Sequence, residues 1–594
     1  MGQVATVHIK AGVYTDETAR GAEPYWHDCD RIRFRSGLPE QIGGWRKMIG
    51  GNGAPIALLG RARAIHDWSS LDNQSWVAVG THLKLYLLNS GNVYDITPLR
   101  DQGTLTDPFQ AVGGNKTLTV NHVAHGCEPG DFVHFTAQGN ATLNFDGEHR
   151  VARVITVDQY EIDLEAAPAS GGNGGGAVDF EYEIHVGTAS KDKVYGYGVG
   201  GYGQGTYGTP RTESTLYQSL RTWSLDNWGE DLLASPVEGP VYWWDRSLGP
   251  NKRAVLIENA PATNRWIMVS PEDRHLICFG AHTTQSRDAM EIRWSDQENF
   301  NDFTPTVNNT SGDKRLDAGS QIVTAIDTRS EKLIFTDEAL YSMQFIGGTY
   351  VFGFSPLGRS VRIIGPNAAA QVNGVVYFMG DGDFFVYDGV LRPLTCPVRN
   401  HVFQDIDTFQ GAKVYATVNR LYSEIIWVYP SAVADDNDRY VIYNYREQVW
   451  YFGTIDRTAM HDQSSAYGLP YGVDPNGHVY THEDGVNADD QPMGSFLESY
   501  DIDIAEGGQF MHVSRLIPDF LAIDGQVELT LLGREFPQDD FRIRSGPHPI
   551  TAMTRQINVR ARNRQIAIRV AAATLDAYWR MGAFSAEVRA HGRR

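Results

Sequence analysis

Short apolar strands separated by tight turns recur along most of this chain, and they constrain its fold more than any other feature. Apolar and polar residues alternate in segments such as residues 76–88 and 557–570, which is the two-residue period of a half-buried β-strand. Clusters of Gly, Asp and Asn interrupt these strands roughly every 8–12 residues, as turns do in all-β proteins. Windows with helical periodicity are scarce. The pattern therefore predicts an all-β protein.

The strand pairs also form a degenerate repeat. One unit is a short apolar strand, a turn and a second strand that ends in an aromatic residue, often with a Trp-Ser-Asp-Asn element nearby. The units lie roughly 35–50 residues apart, which is the spacing of β-propeller blades. A lone blade cannot bury both faces of its small sheet, so blades stack around an axis. We predict a β-propeller core of six or seven blades, with an irregular array of β-sandwiches as the alternative. Clear strand pairs begin at Leu333, Val375 and Ile425, and the Trp elements span residues 223–228 and 294–303.

Three segments interrupt the repeat. Residues 101–190 have their own alternation and indicate a small β-module inserted in a surface loop, where an insertion costs little stability. Residues 196–210 are rich in Gly and Tyr without periodicity, and the strands lengthen after about residue 495. The predicted domains are an extended N-terminal arm with a signature strand (1–55), the first part of the propeller (56–100), the inserted β-domain (101–190), the rest of the propeller (191–495) and a C-terminal β-sandwich-like domain (496–594).

Charge is distributed unevenly along the 594 residues. The chain has 72 Asp and Glu against 51 Lys and Arg, a net charge of −21. Residues 534–594 contain twelve Arg, no Lys and five Asp or Glu, so this segment carries +7 and the remainder −28. The overall acidity argues against a general nucleic-acid binder, because phosphate binding needs clustered cations. The basic segment indicates either a docking surface or simply a solvated sheet face. The residues we assign to this predicted assembly surface are Arg560, Arg562, Arg564 and Arg569.

Cysteine and hydropathy patterns exclude further classes. The four cysteines are far apart without a Cys-x-x-Cys pair, which predicts mostly buried free thiols and neither a structural zinc site nor a disulfide framework. The N-terminus lacks a signal-peptide core, and no apolar run approaches the ~20 residues that cross a bilayer. We therefore predict a soluble chain made in a reducing compartment, without stable membrane insertion.

Candidate chemical motifs are weak. Gly198, Gly200 and Gly203 match a dinucleotide-binding pattern, but no helix follows to hold a pyrophosphate. We interpret that segment as a contact loop. Histidines and acidic clusters elsewhere lack complete ligand sets for zinc or calcium. The sequence therefore predicts no catalytic residue, no metal site and no cofactor. The contact-loop tyrosines are Tyr195, Tyr197, Tyr202 and Tyr207; the rejected ligand candidates are His122, His125, Asp381, Asp383, Asp435, Asp436 and Asp438.

Several segments together resemble one family. Residues 28–48 contain a basic-aromatic strand, a Gly-Leu-Pro-Glu turn and Gly-Gly-Trp, and they look like the N-terminal signature of tail nozzle proteins of short-tailed bacteriophages, also called tail tubular protein B. Residues 330–358, 375–389 and 441–459 are similar to the propeller core of that family, with Tyr445, Arg446, Glu447 and Trp450 in the same order. The resemblance covers most of the chain outside residues 101–190.

The resemblance implies a structural protein of the virion tail, made in the host cytoplasm. Members of the family form a ring, usually a hexamer, below the tail adaptor; the ring closes the channel and lets DNA through on infection. The implied partners are other copies of the chain, the adaptor, possible tail fibres and the host envelope at infection. Viral DNA would pass without specific binding, because an acidic lumen repels phosphate. The Gly/Tyr loop would then contribute to the constriction.

Two other functions remain open at this level. A receptor-binding or decoration protein of the tail would use the inserted module to contact a host glycan or another tail protein. A propeller glycan hydrolase is the enzymatic alternative, since carboxylates are plentiful and paired acids hydrolyse glycosides. The Ser-x-Asp-x-Gly-x-x-Trp turns of sialidase-type propellers are missing from the sequence. We therefore predict a protein that is not an enzyme.

Overall fold

The computed structural model describes residues 3–18, 21–22, 25–138, 145–193, 217–282, 288–348, 350–464, 466–503, 509–590 and 592. The chain divides into two compact units, one of residues 58–315 and one that combines residues 1–57 with 316–594. Over the described ranges the secondary structure is nearly all β, and the helices are the α-helix Arg399–Asp405 and the 3-10 helices Arg246–Leu248 and Thr408–Lys413. None of these short helices has the length and apolar character needed to span a membrane.

Unit 58–315 contains three four-stranded antiparallel sheets, which we call blades 1 to 3 in chain order. Tryptophans fill the space between blades 1 and 2, where Trp68, Trp76, Trp223 and Trp244 belong to one buried cluster. Gly80 is required there, because a Cβ at this position would lie 2.5 Å from the Trp223 ring. The strands are Ala62–Ser69, Ser75–Thr81, Leu85–Asn89 and Asn92–Asp95 in blade 1; Trp223–Trp228, Asp231–Pro236, Tyr242–Trp244 and Val255–Leu256 in blade 2; and Trp266–Val269, Leu276–Phe279, Glu291–Trp294 and Gly312–Arg315 in blade 3.

The inserted module lies between blades 1 and 2 in sequence and forms an eight-stranded sheet of its own. Burial alternates along strands such as Thr117–Asn121 and Gln159–Asp163, and the module encloses a separate apolar cluster that includes Phe109, Phe135 and Tyr160. The strands run from Leu99 to Glu183, against the sequence-based range of 101–190. They are Leu99–Thr106, Phe109–Ala111, Thr117–Asn121, Phe132–Gln138, Gly147–Thr156, Gln159–Asp163, Gly172–Gly174 and Ala177–Glu183; the short pair Asp192–Lys193 and Tyr217–Gln218 follows.

The other unit contains blades 4 to 7, four more four-stranded blade-type sheets, in addition to the sheets that include the C-terminal strands. In blade 7 three strands are consecutive, and the fourth comes from the N-terminal region, where Trp45 pairs with His482 and Lys47 with Tyr480. The strands are Ile322–Asp327, Lys332–Thr336, Ala339–Phe345 and Phe352–Arg359 in blade 4; Ala369–Val372, Val375–Met379, Phe384–Tyr387 and Leu391–Pro393 in blade 5; Tyr415–Asn419, Glu424–Tyr429, Arg439–Asn444 and Val449–Thr454 in blade 6; and Ala459–His461, Tyr471–Val473, Val479–His482 and Trp45–Lys47 in blade 7.

The C-terminal region shares its sheets with the N-terminus. We expected an extended arm with a signature strand over residues 1–55, whereas these residues supply five strands, because apolar side chains such as Trp26, Ile32, Phe34 and Trp45 are buried in the sheets formed with C-terminal strands and blade 7. One sheet contains Gln3–Val7, Met511–Ile517, Ile557–Asn563 and Phe584–Ala590; a second contains Trp26–Asp30, Ser495–Ser499, Ile502–Asp503, Val527–Arg534, Arg542–Ile550 and Gln565–Ala572; a third contains Ile32–Arg35, Leu38–Gln41, Phe520–Asp524 and Tyr578–Met581.

The prediction of an all-β, propeller-like fold is confirmed, with seven blade-type sheets in the described part of the chain. The Trp elements of the repeat do not occupy equivalent positions. Residues 223–228 form the first strand of blade 2, whereas Trp294 ends the third strand of blade 3. A tryptophan at either place fills apolar space beside a sheet, so the similarity of these segments reflects packing and not a strict repeat.

Candidate structural hub and assembly surface

The signature strand and its turn form a tight β-hairpin. Ile32–Arg35 and Leu38–Gln41 pair in register, and both turn residues have positive φ, 52° at Ser36 and 74° at Gly37. That combination gives the two-residue turn whose twist matches a hairpin. The carboxylate of Glu447, from the turn between the last two strands of blade 6, accepts hydrogen bonds from the N–H groups of Ser36 (2.5 Å) and Gly37 (2.9 Å). Two segments that carry the family resemblance therefore contact each other.

Arg33, on the hairpin's first strand, is only 2% exposed and lies between two carboxylates. Its Nε and Nη2 donate to Glu424 over 2.9 and 3.1 Å, and its Nη1 donates to Glu483 over 2.8 Å. Glu424 also accepts from the hydroxyl of Tyr451 (2.6 Å) and from the amide of Asn419 (2.9 Å). This bidentate geometry is the arrangement in which a buried ion pair offsets its desolvation cost.

Burial and charge oppose each other in this cluster. Burial alone would lower the pKa of Arg33, but Glu424 and Glu483 outweigh it and raise that pKa. Burial raises the pKa of Glu424. The positive charge of Arg33 opposes this increase, and the negative charge of Glu483 adds to it. One guanidinium thus pairs with the buried Glu424 and the largely buried Glu483, and removal of Arg33 would leave both without a cation.

The Gly-Gly-Trp segment is shaped by close backbone contact. A Cβ on Gly44 would lie 2.4 Å from the carbonyl oxygen of Asn487, and one on Gly43 would lie 2.7 Å from Cα of Glu483. Neither neighbour is a flexible side-chain end, so only glycine lets the chain enter blade 7 here. Trp45 follows directly and begins the strand that completes that blade.

Glu40 connects the same hairpin to the C-terminal sheets. Its carboxylate lies 2.8 Å from Nη2 of Arg35 and 3.3 Å from Nε of Arg580, and it accepts from Tyr578 at 3.4 Å. We refer to Arg33, Glu40, Glu424, Glu447 and Glu483 as the hub. Through it the signature hairpin holds blade 6, blade 7 and the C-terminal sheets in one unit.

The four arginines of the predicted assembly surface do not lie on one face. Arg560 and Arg562 share the exposed face of Ile557–Asn563, where burial alternates strictly, and Arg564 follows in the turn. Arg562 and Arg564 stack on Phe510, with guanidinium carbons 4.3 and 5.0 Å from the ring centre. Arg569 belongs to a strand of a different sheet, where it is half-buried, 3.8 Å from the Phe496 ring centre and paired with Glu498 at 3.1 Å.

Further arginines that the sequence reasoning did not single out enlarge this surface. Arg542 and Arg544 are exposed on the edge strand Arg542–Ile550, and Arg555 is exposed in the loop before Arg560. Within the described ranges Arg542, Arg544, Arg555 and Arg560 make no ion pair. We call Arg542, Arg544, Arg555, Arg560 and Arg562 the arginine surface. In the sequence, arginines alternate with Ile543 and with Val559, and this pattern could have indicated an arginine-rich strand face.

A second ion-pair cluster, also missed from the sequence, joins the inserted module to blades 1 and 2. Carboxylate oxygens of Asp95, Glu148 and Glu183 lie within 4.8 Å of one another, a spacing that would suit a metal ion. However, Nζ of Lys84 donates to Asp95 (2.7 Å), to Glu183 (3.1 Å) and to Glu148, and Nη1 of Arg253 lies 2.9 Å from Glu183. The lysine therefore holds the position that a cation would take.

The pKa of Glu183, in that cluster, is shifted to near neutral pH. Burial, reinforced by Asp95, raises the pKa of Glu183 to about 7 despite the nearby Lys84. The inserted module is thus attached through a carboxyl group that changes charge close to physiological pH.

The remaining sequence candidates have ordinary structural partners. Both ring nitrogens of His125 are engaged, with the carbonyl of Thr156 (3.0 Å) and the N–H of Cys127 (2.9 Å). His122 contacts the hydroxyl of Tyr182 at 3.0 Å. Asp438 accepts from the N–H of Ser431 at 2.8 Å. The prediction of mostly buried free thiols is confirmed, since Cys29, Cys127 and Cys278 are buried, Cys396 is half-buried and all four are free. The tyrosines of the Gly/Tyr loop, at 195, 197, 202 and 207, lie outside the described residues.

Comparison with known proteins leaves the family open. No known protein family matches the sequence, and no curated protein matches it. Among solved structures, PorZ, an essential surface component of the type-IX secretion system of Porphyromonas gingivalis, is 8% identical over 89% of this chain and 82% of its own, with a TM-score of 0.28. The endosialidase of phage phi92 is 11% identical over 72% of this chain and 64% of its own, with a TM-score of 0.19. A puromycin hydrolase is 11% identical over 70% and 57%, with a TM-score of 0.27. The matches to these last two span less than two thirds of their lengths, and similarity this distant carries no functional argument.

Proposed function

We propose that this chain is a structural protein of a bacteriophage tail, of the tail nozzle type, which assembles into a ring around the channel through which DNA leaves. In this proposal several copies, six by analogy with the family, contact one another and the tail adaptor. The chain acts as a rigid block in the channel wall and has no enzymatic role.

The hub is the observation that carries this proposal. The residues of the family resemblance in the signature hairpin, Arg33, Glu40, Gly43, Gly44 and Trp45, are engaged in ion pairs, close backbone contacts and strand pairing. A catalytic motif would instead present unpaired groups in a cleft. A structural protein in a channel wall must be rigid, and residues that join blades 6 and 7 to the C-terminal sheets provide that rigidity.

The separation of charge supports assembly between copies. The arginine surface belongs to a segment of charge +7, whereas the rest of the chain carries −28. Arg542, Arg544, Arg555 and Arg560 are exposed and make no ion pair with a described residue, so they are available to a partner's acidic surface. Such complementarity steers and orients association. An acidic wall also lets a phosphate backbone slide past without binding.

Sedimentation of charge-reversal variants tests this proposal. We expect the intact chain to form a discrete oligomer at low salt that weakens near 1 M salt, where the screening length falls to about 3 Å. The variant R542E/R544E/R560E should remain monomeric. A matched control, R329E/R359E/R446E, changes three exposed blade arginines by the same total charge and should assemble normally. Equal assembly of both variants would contradict the role of the arginine surface.

Removal of the C-terminal domain is not a suitable test. A chain that ends near residue 495 would leave Trp26–Asp30 without Ser495–Ser499, Leu38–Gln41 without Tyr578–Met581, and Glu40 without Arg580. Loss of assembly would then follow from misfolding of the N-terminal hairpin. Point reversals on exposed side chains avoid this ambiguity.

A further inference from the structure

A cavity of 650 Å³ lies between the N-terminal segment, blade 5 and blade 6 of one unit. Its volume falls within the ~300–1,000 Å³ typical of ligand pockets. The lining comes from parts of residues 14–17, of residues 375–397 in blade 5 and the loop after it, and of residues 443–450 in blade 6. No residue of the hub or of the arginine surface belongs to this lining, so neither of those roles accounts for the cavity.

The lining carries a net negative charge. Its charged side chains are the carboxylates of Asp16, Glu17 and Asp388 and the guanidinium of Arg392, so three negative charges and one positive charge leave it at −2. Arg392 is already paired with Asp388, and Asp16 accepts the N–H of Asn400 over 3.0 Å. Glu17 is exposed and accepts no hydrogen bond from a described residue. The cavity therefore attracts a cation and repels an anion.

Aromatic and aliphatic side chains form the rest of the wall. Tyr14 and Tyr377 are half-buried. The ring centres of Tyr377 and Tyr443 lie 5.9 Å apart, and those of Tyr443 and Trp450 lie 4.8 Å apart. The aliphatic members of the lining are Val375, Val386, Leu394 and Val449. Because ring faces attract cations and alkyl chains pack against apolar surface, this wall suits a cation on a short alkyl stem.

A nearly buried hydroxyl group in this wall has no partner. Tyr443 is only 6% exposed, yet its hydroxyl makes no hydrogen bond with any described residue. The oxygen is not sealed in the interior, since the side chain lines the cavity and the oxygen remains open to solvent there. The hydroxyl of Tyr377 is likewise without a partner among the described residues. Because buried hydroxyl groups are normally hydrogen-bonded, these two oxygens mark the place where a ligand would donate.

Both tyrosines keep their protons at neutral pH. Burial, followed by Tyr443, Tyr445 and Asp388, raises the pKa of Tyr377 to about 12, and burial raises the pKa of Tyr443. Neutral hydroxyl groups accept hydrogen bonds from a cation and leave the charge of the lining to its carboxylates. The wall is thus neutral and polar, whereas the acidic side chains of the lining are exposed.

We propose that this cavity binds a small organic cation, a guanidinium or ammonium group on a short alkyl stem. The exposed carboxylates attract the cation, the hydroxyl oxygens of Tyr377 and Tyr443 accept its N–H groups, and the stem packs against the rings and the aliphatic side chains. A neutral sugar would contact the same hydroxyl groups without gaining from the negative charge. The inference rests on the cavity alone and does not depend on the proposed function.

Ligand-observed NMR of the intact chain at low salt, with n-butylguanidinium and n-butylurea as probes, tests the proposal. The two molecules have nearly the same shape, but only the first is charged. We expect n-butylguanidinium to bind at least about tenfold more tightly, because only a cation gains from the carboxylates and the ring faces. Pentanoate should not bind. Equal binding of the first two probes, binding of pentanoate, or no binding of n-butylguanidinium would each overturn the proposal.

Matched variants locate the site. Y443F keeps the ring, removes only the unpartnered hydroxyl and should weaken n-butylguanidinium binding by about fivefold. E17Q removes one negative charge from the lining and should weaken binding by about threefold. Y350F and E272Q are the controls, since they make the same changes at exposed positions outside the lining; both should bind as the unmodified chain does. Normal binding by both Y443F and E17Q would refute the site.

An arginine side chain of a neighbouring copy carries the same head group as a free ligand. Sedimentation at low salt separates these two sources. Saturating n-butylguanidinium should give the same sedimentation coefficient as an equal concentration of sodium chloride. Dissociation of an oligomer by n-butylguanidinium, but not by sodium chloride, would instead place a neighbour's arginine in the cavity and overturn the proposal of a free ligand.

Discussion

At the residue scale, the side chain of Arg33 makes a large contribution to the stability of the folded chain. It pairs with Glu424 and Glu483 where almost no solvent reaches. We predict that R33A lowers the free energy of unfolding by about 3–5 kcal/mol, because it leaves the buried carboxylate of Glu424 and the largely buried one of Glu483 without a cation. Chemical denaturation followed by tryptophan fluorescence measures this.

The control for that prediction is R46A. Arg46 is largely exposed and lies 3.9 Å from its carboxylate partner, Asp484; its loss should change the free energy of unfolding by less than about 1 kcal/mol. If R33A and R46A both changed the free energy of unfolding only slightly, the hub would not be the main source of stability for the N-terminal hairpin.

Glu183 gives a second residue-scale prediction, which concerns pH. Its pKa is raised from 4.5 to about 7 in the folded chain. Between these values the folded chain keeps a proton that the unfolded chain has released, so this stabilisation is complete below pH 4.5 and disappears as the pH rises through 7. E183Q should therefore gain stability relative to the unmodified chain between pH 5 and pH 8, by up to about 3 kcal/mol.

Thermal unfolding of both proteins across that range measures the difference. The comparison cancels the other titrating groups of the cluster, such as Asp95, whose pKa is lowered against the effect of burial by Lys84 and Arg253. Parallel stability curves for E183Q and the unmodified chain would contradict the raised pKa of Glu183.

At the scale of elements, the strand that completes blade 7 depends on the close approach at Gly44. We predict that G44A destabilises the protein by about 2 kcal/mol or more, because the added methyl group meets backbone atoms that cannot move independently. G468A is the control, since a Cβ there has no neighbour within 4 Å. Differential scanning calorimetry distinguishes them, and equal melting temperatures would refute the role of Gly44.

The sequence predicted elements well where short-range pattern determines them. Alternation specified the strand pairs that begin at Leu333, Val375 and Ile425, because neighbouring strands joined by tight turns need no long-range information. It did not specify that Trp45–Lys47 pairs with Val479–His482, since edge pairing leaves no local signature. The N-terminal residues were therefore predicted to be an arm with one signature strand, whereas they supply five strands.

At the scale of the whole molecule, the sequence could not predict which distant charged residues pair with each other. Arg33 and Glu424 are 391 residues apart in sequence, and composition cannot show that two such charges meet. For the same reason the acidic cluster around Lys84 was missed. The basic segment was found because its charge is local, although the structure separates Arg569 from Arg560.

The separation of charge along the chain also bears on how identical copies assemble. The −28 and +7 portions belong to one chain, so a contact between unlike surfaces of identical copies repeats from one copy to the next. Such a head-to-tail contact closes into a ring or continues as a filament. The proposed function requires the ring.

Electron microscopy of the purified chain at low salt tests this central claim most directly. The account predicts closed rings of uniform copy number around a central axis, in which the arginine surface of each copy faces an acidic surface of its neighbour. Single chains at every concentration, or open filaments without rings, would contradict it.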